Sequence, residues 1–322
     1  TLIKSYLFNR ELVVKYRNFM SQPFTPRSGV PQGSNLGPLL FILFINDIVD
    51  GLNCNKLLFA DDLKLFLEVK SLSDCQQLQL DLNRLIYWGR CNRLSINQSK
   101  CFVVSYSRKA SVVKFDYYME DVVLTRLDRY KDLGVVFDNK FYFSNHIAEC
   151  ISKAYKMYGF IYRNCRDFSN THSLIALFNS LVRSSLEYCA LIWFLIYNTY
   201  IDQIERIQRK FLKFVAYLTD GVYPPRGFNH ELLLARFNCK RLHTRRIIIV
   251  VKFSYNLLNN RIDCPYLLDK FFFVVPRLNS RQNPLFYAPR CKTNALSRSP
   301  VALMCNYCNL ISSDCDFNFD SA

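Results

Sequence analysis

Glycine and proline are scarce, 9 and 11 residues of 322, which excludes collagen-like repeats and long flexible linkers. No apolar stretch reaches bilayer length: the longest, Tyr188 to Tyr197, is about half of the ~20 residues a spanning helix needs. A membrane is therefore not expected among the partners. The sequence opens at Thr1 with neither an initiator methionine nor a basic-then-apolar leader. No secretory or transit signal is legible, and the natural start is expected elsewhere, in an intracellular protein of nucleus and cytoplasm. Histidine is rare, and His146, His172, His230 and His243 are too widely spaced to suggest a site.

Acidic residues are also few. Lys and Arg number 42 against 26 Asp and Glu, a formal charge of +16, and an excess of this size favours polyanionic partners, nucleic acid first. The surplus is +6 over residues 1–110, −1 over 111–142, +3 over 143–220 and +8 over 221–322, so it sits at both ends and not in one tail. The 13 cysteines are an odd number without a framework spacing, which reads as reduced thiols. Only Cys305 and Cys308, with Cys315 nearby, have metal-ligand spacing, and no fourth ligand completes a zinc set.

Half the residues are hydrophobic, and the length suits two or three folded domains. A short helix is expected over Leu2 to Phe8 and a strand over Leu12 to Tyr16. Ser34 to Ile48 is apolar almost all round, which predicts a buried helix ending at Asp50-Gly51. Leu57 to Ala60 and Leu63 to Leu67 flank Asp61-Asp62 at hairpin spacing. Ser73 with Gln76 forms a capping box, opening an amphipathic helix through Leu78, Leu82 and Leu85. Strand-like pieces follow at Cys101–Tyr106, Lys114–Tyr118, Val122–Leu124 and Val135–Phe137.

After Phe143 the character becomes helical. Ser144 can cap a helix with Ile147, Ile151, Ala154, Tyr158 and Ile161 on one face. A second helix carries Leu174, Leu177, Leu181 and Ser185, and a third Ile204, Ile207, Phe211, Phe214 and Leu218. In that third helix Arg206, Arg209, Lys210 and Lys213 share one face, which would suit a duplex backbone, while Asp202 and Glu205 could form surface pairs with the arginines. Pro224-Pro225-Arg226-Gly227 breaks the chain before a basic, partly helical end.

Two adjacent carboxylates on a rigid turn suit Mg²⁺, with Mn²⁺ as an alternative. In phosphoryl or nucleotidyl transfer such ions activate the attacking oxygen and neutralise the leaving one. An isolated Asp-Asp is more often a plain turn, but this one has company. Ser28-Gly29-Val30-Pro31-Gln32-Gly33-Ser34 opens directly into a helix, and its glycines let backbone approach a sugar or base.

Together these segments, in this order and about thirty residues apart, resemble the reverse transcriptases of non-long-terminal-repeat retrotransposons, most closely jockey-like elements. Ser28 to Phe41 resembles that family's motif B and Phe59-Ala60-Asp61-Asp62 its motif C. The resemblance implies an α+β fold: an incomplete right-hand palm over 1–142, a helical thumb over 143–220 and a mainly helical basic region over 221–322. It implies RNA-directed DNA synthesis from an RNA template, deoxynucleoside triphosphates and a DNA primer or nicked chromosomal DNA. Ser28, Gly29, Pro31, Gln32 and Gly33, with Phe59 and Ala60, would meet template and nucleotide. Asp61 and Asp62 would hold the metals, and Lys100, in a segment like motif D, would sit near the pyrophosphate. Leu133, Gly134 and Val135 resemble the segment that grips the primer.

The family's first catalytic aspartate precedes motif B, and Thr1 to Met20 contains none. The chain is thus expected to need the N-terminal part of the same polyprotein and to be inactive alone. A catalytically dead nucleic-acid-binding remnant is the rival reading. A group II intron maturase, a weaker rival, would need a different domain after the thumb.

Overall fold

The computed structural model describes residues 2–109, 111–194, 197–275, 284–288, 290–291, 293–297 and 299–311; Cys315 lies outside them. Helices and short strands mix, and the chain divides into two compact units, Thr1–Arg129 and Tyr130–Ala322.

The first unit begins with α1 (Leu2–Leu7) and a small antiparallel pair, β1 (Lys15–Tyr16) and β2 (Phe19–Met20). Helix α2 (Leu36–Ile45) follows and tightens into a 3₁₀ turn over Asn46–Val49. The hairpin β3 (Asn55–Phe59) and β4 (Asp62–Phe66) leads to α3 (Leu72–Cys91). Beyond it come β5 (Phe102–Val103), the hairpin β6 (Tyr118–Met119) and β7 (Val122–Val123), and β8 (Thr125–Arg126), which pairs in parallel with β5. The core of this unit is the inner face of α3, where Cys75, Leu78 and Leu82 pack with Tyr117, Met119 and Leu124.

Three expectations shift here. Helix α2 is not buried as its composition predicts: Gly37 and Ile45 are covered, but Leu39 and Leu43 are 53% and 65% exposed. A helix apolar all round needs neighbours on every side, and among the described residues this one lacks them. The cap of α3 falls two residues early, on Ser71. Asp74, not Gln76, closes the box by accepting from the Ser71 amide at 2.8 Å. Finally, β2, β8 and β9 (Arg129–Asp132) were not visible in the sequence, because strands this short carry too few residues to show alternation.

In the second unit β9 pairs with β10 (Val135–Asp138). The helices α4 (Ser144–Asn164), α5 (Thr171–Phe178), α6 (Ser184–Glu187) and α7 (Asn198–Asp220) follow. Ser144 is the first helical residue of α4 and not its cap; the Asp138 carboxylate takes the Tyr142 and Phe143 amides at 2.9 and 2.7 Å in that role. Between α5 and α6 the chain makes a π turn over Asn179–Arg183. The deepest residues of this stretch are Leu174, Phe178, Val182 and Leu186; Leu174 is buried as expected, and the expected Leu177 and Leu181 are half-buried against the same core. The α7 stripe of Ile204, Ile207, Phe211 and Phe214 is buried as expected. Then come α8 (His230–Arg236), α9 (Leu242–Leu258), α10 (Pro265–Leu268), α11 (Asn294–Ser297) and α12 (Pro300–Ile311). Cys305 and Cys308 are buried with Val250, Leu257, Phe271 and Met304. Burial pushes the Cys305 thiol up to about 11, so this pair behaves as small apolar side chains.

Candidate active site and nucleic-acid interface

The β3–β4 register pairs Phe59 with Asp62, so the two-residue loop is Ala60-Asp61 and not Asp61-Asp62. Asp61 is the second loop residue and Asp62 begins β4. Ala60 carries a positive φ of 51°, the sign that two-residue hairpins need at their first loop position and that glycine normally supplies. Alanine there costs about 1 kcal/mol or more. Both aspartates are exposed, and among the described residues neither carboxylate accepts a hydrogen bond or meets a cation. Two adjacent hard oxygen donors left unpartnered fit the needs of Mg²⁺, which takes one or two carboxylates and completes its shell from phosphate and water. No group of three or more His, Cys, Asp or Glu among the described residues is arranged to hold an ion.

The base of this hairpin is held by a residue that sequence reading missed. Asp81, fully buried on α3, accepts from the backbone amides of Asn53 at 2.9 Å and Cys54 at 2.7 Å, and from Arg84 at 2.7 Å. Burial works to raise its pKa. The bonds from Cys54, Asn53 and Arg84 outweigh that and hold the carboxyl below its ordinary range. The one available signal was a charged residue at an inward heptad-like position, between Leu78 and Leu85.

The Ser28–Ser34 loop is fixed from the N-terminal side. Arg10 donates to the Gly29 carbonyl at 2.8 Å, and Tyr6 bonds the Ser34 hydroxyl. Ser34 in turn takes the Gly37 amide at 3.0 Å and donates to the Pro31 carbonyl at 2.7 Å, closing the loop onto the first turn of α2. Gly29 and Gly33 have φ near +80°, so their presence is conformational whatever they contact. Gln32 is exposed. Lys100 ends a 3₁₀ turn over Gln98–Lys100 that Asn97 caps through the Ser99 amide, just before β5, and is exposed.

In the second unit, Leu133 and Gly134 are the two loop residues between β9 and β10, with φ of 42° and 87°, the pattern of a tight two-residue hairpin. Val135 is buried in the helical core. The Tyr188 hydroxyl donates to the Leu133 carbonyl at 2.7 Å, and its ring lies where a Gly134 Cβ would come within 3.1 Å. Below, Trp193 donates to the Tyr188 carbonyl at 2.9 Å and stacks under the Arg246 guanidinium at 3.9 Å. Burial pushes Arg246 down to about 10.

The four cations of α7 are not equivalent. Arg206 and Arg209 are exposed. Lys210 lies over the Tyr155 ring at 5.0 Å, and Lys213 donates to the Pro225 carbonyl at 2.7 Å. Glu205 forms no surface pair: it is buried, accepts the His243 amide at 2.8 Å and faces His230 at 3.7 Å.

Residues 1–137 match the family model described as reverse transcriptase (RNA-dependent DNA polymerase). The chain is 28% identical over 225 residues to a probable RNA-directed DNA polymerase from transposon X-element of Drosophila melanogaster, covering 67% of this chain and 24% of that protein. It is 30% identical over 165 residues to the probable polymerase from transposon BS of that organism, covering 48% and 18%. It is 29% identical over 164 residues to the RNA-directed DNA polymerase from mobile element jockey, also covering 48% and 18%. The chain thus spans about a quarter or less of the curated relatives it matches. No solved structure matches it.

Proposed function

We propose that the chain is part of a reverse transcriptase of the jockey-like, non-long-terminal-repeat kind, to which residues 1–137 and the transposon polymerases are similar, and that its parent protein adds deoxynucleotides to a DNA 3′ end on an RNA template. The observation that carries this reading is the β3–β4 turn, where two adjacent, unpartnered carboxylates stand exposed at the tip of a hairpin anchored by Asp81. Asp61 and Asp62 are the residues to hold Mg²⁺ or Mn²⁺. Such ions, when bound, activate the primer hydroxyl and neutralise the leaving pyrophosphate.

The chain's own groups then position the substrates. The Ser28–Ser34 loop, with Gly29, Pro31, Gln32 and Gly33, and the adjoining Phe59 and Ala60 present backbone and amide donors to template and nucleotide. Lys100 supplies a cation for the departing pyrophosphate. The Leu133-Gly134-Val135 segment grips the primer through Leu133 and Gly134, with Val135 buried beneath as its anchor and the turn held by Tyr188. Arg206 and Arg209, with smaller parts for Lys210 and Lys213, meet the duplex backbone. In this reading 1–142 is palm, 143–220 thumb and 221–322 a basic region. The remaining catalytic carboxylate comes from the N-terminal part of the same polyprotein, and priming from nicked chromosomal DNA puts the work in the nucleus.

The reading is tested by RNA-templated primer extension with the full reading frame. Its metal assignment is tested separately by Mn²⁺ uptake in the presence of dTTP, followed by electron paramagnetic resonance. Uptake that survives Asp61→Asn with Asp62→Asn would remove the hairpin from the site.

A further inference from the structure

Helices α4 and α7 pack against each other, and a row of aromatic rings runs along their shared edge. Tyr158 and Tyr162 have ring centroids 6.1 Å apart, Tyr162 and Phe214 4.8 Å, and Tyr217 and Tyr223 6.2 Å. Tyr223 sits in the turn after α7 with the Lys213 ammonium over its ring at 6.0 Å, which joins the Tyr217–Tyr223 pair to the cationic face of α7. The row's inner members fill space between the helices: Tyr158 is half-buried and donates to the Lys210 carbonyl. Its outer members do not, since Tyr162, Tyr217 and Tyr223 are 40%, 45% and 51% exposed. Single exposed aromatics are ordinary, but a contiguous group marks an interaction surface.

Cations interleave with these rings. Arg166 lies over Tyr162 at 5.4 Å, Lys213 over Tyr223 at 6.0 Å and Lys210 over Tyr155 at 5.0 Å. Arg206 and Arg209 stand exposed on the same face of α7. Of the nearby acids, Asp220 is held by both terminal nitrogens of Arg236 at 2.6 Å, and among the described residues the exposed Asp167 and Asp202 form no salt bridge with these cations. Exposed rings beside unneutralised cations are the two components that bind unpaired nucleotides: bases stack on the rings while phosphates meet the cations. A duplex satisfies only the second, since its base faces are stacked on each other.

We propose that the tyrosine edge of α4 and α7, with Tyr162, Tyr217 and Tyr223 as stacking platforms, binds unpaired RNA independently of base sequence. The choice of RNA rests on the polymerase reading, in which the template is the long single strand the protein handles. The site itself needs neither Asp61 nor synthesis.

The test is binding of short oligo(U) to the 322-residue chain by fluorescence anisotropy. Replacing the three exposed tyrosines by Ala should weaken binding at least about tenfold. The slope of log affinity against log salt should not change, because no phosphate contact is lost. Replacing all three by Phe should hold affinity within about twofold, and Tyr223→Ala alone, outside any helix, keeps the test open if the triple variant unfolds. A strand of abasic riboses and an RNA–DNA hybrid should show no tyrosine dependence. The proposal is overturned by a wild-type chain that ignores oligo(U), by a folded Ala variant that binds as wild type, by abasic RNA binding as tightly as oligo(U), or by preference for oligo(dT). Asp61→Asn should leave oligo(U) binding intact, so a failed polymerase reading and a failed tyrosine surface give different results.

Discussion

The Tyr188 hydroxyl donates to the carbonyl of Leu133 at 2.7 Å, tying the β9–β10 turn to the segment that follows α6. The same ring closes over Gly134, whose φ of 87° already disfavours any side chain. Gly134→Ala should therefore destabilise the second unit by about 1–3 kcal/mol, measured by urea unfolding. Tyr188→Phe keeps the ring and should cost much less. Combining Gly134→Ala with Tyr188→Ala should recover part of the loss, since the clash goes while the φ strain stays; strictly additive effects would show that the ring does not press on the turn.

Asp81 makes a second structural prediction. Asp81→Ala strips the Asn53 and Cys54 amides of their buried acceptor and should cost roughly 1–3 kcal/mol. Hydrogen exchange should speed up in β3 and β4 more than in α5 or α7. Because the folded carboxyl titrates below its ordinary 3.8, its contribution is present above that pH and is lost as pH falls through the folded pKa. Uniform loss of protection across both units would contradict a local anchor.

His146 sets a pH dependence of opposite origin. Its Nδ1 accepts the Val136 amide at 3.3 Å and so carries no proton. Burial lowers its pKa below 6.5, with Arg246, Lys153 and Lys131 adding to that and Glu149 opposing it. The unfolded chain binds this proton more readily, so stability should fall as pH drops below about 6.5. His243, also lowered chiefly by burial, acts in the same direction. His146→Gln should flatten the decline below about pH 6.5, and an unchanged slope there would show that His146 does not set it.

Much of this was legible in the sequence. The α7 stripe, the loop before α2 and the Asp61-Asp62 hairpin announced themselves through periodicity and spacing. Less legible were features decided by partners distant in sequence: Asp81 reaching back to Cys54 and Glu205 turning inward to His243. Ala60 as a loop residue was hidden because its positive φ is set by the register and not by its identity. The apolar composition of α2 implied burial, but composition says nothing about which neighbours are present.

On α7, the different surroundings of the four cations predict unequal contributions to nucleic-acid binding. Arg206→Gln with Arg209→Gln should flatten the dependence of log affinity for an RNA–DNA hybrid on log salt by roughly two units, about 0.9 per lost phosphate contact. Lys213→Gln should change the slope little, because its ammonium already serves the Pro225 carbonyl at 2.7 Å. Equal losses from all four positions would mean that Lys210 and Lys213 leave their present partners on binding.

The most direct test of the central claim, that Asp61 and Asp62 form the metal-binding turn of an RNA-directed DNA polymerase, is oligo(dT)-primed synthesis on poly(rA) with Mg²⁺. It should be run on the full reading frame, on the same protein with Asp61→Asn, and on the 322-residue chain alone. Synthesis is expected from the first, a loss of at least about a thousandfold, about 4 kcal/mol of barrier, in the second, and background in the third. Synthesis that survives Asp61→Asn, or robust extension by the 322-residue chain alone, would contradict it.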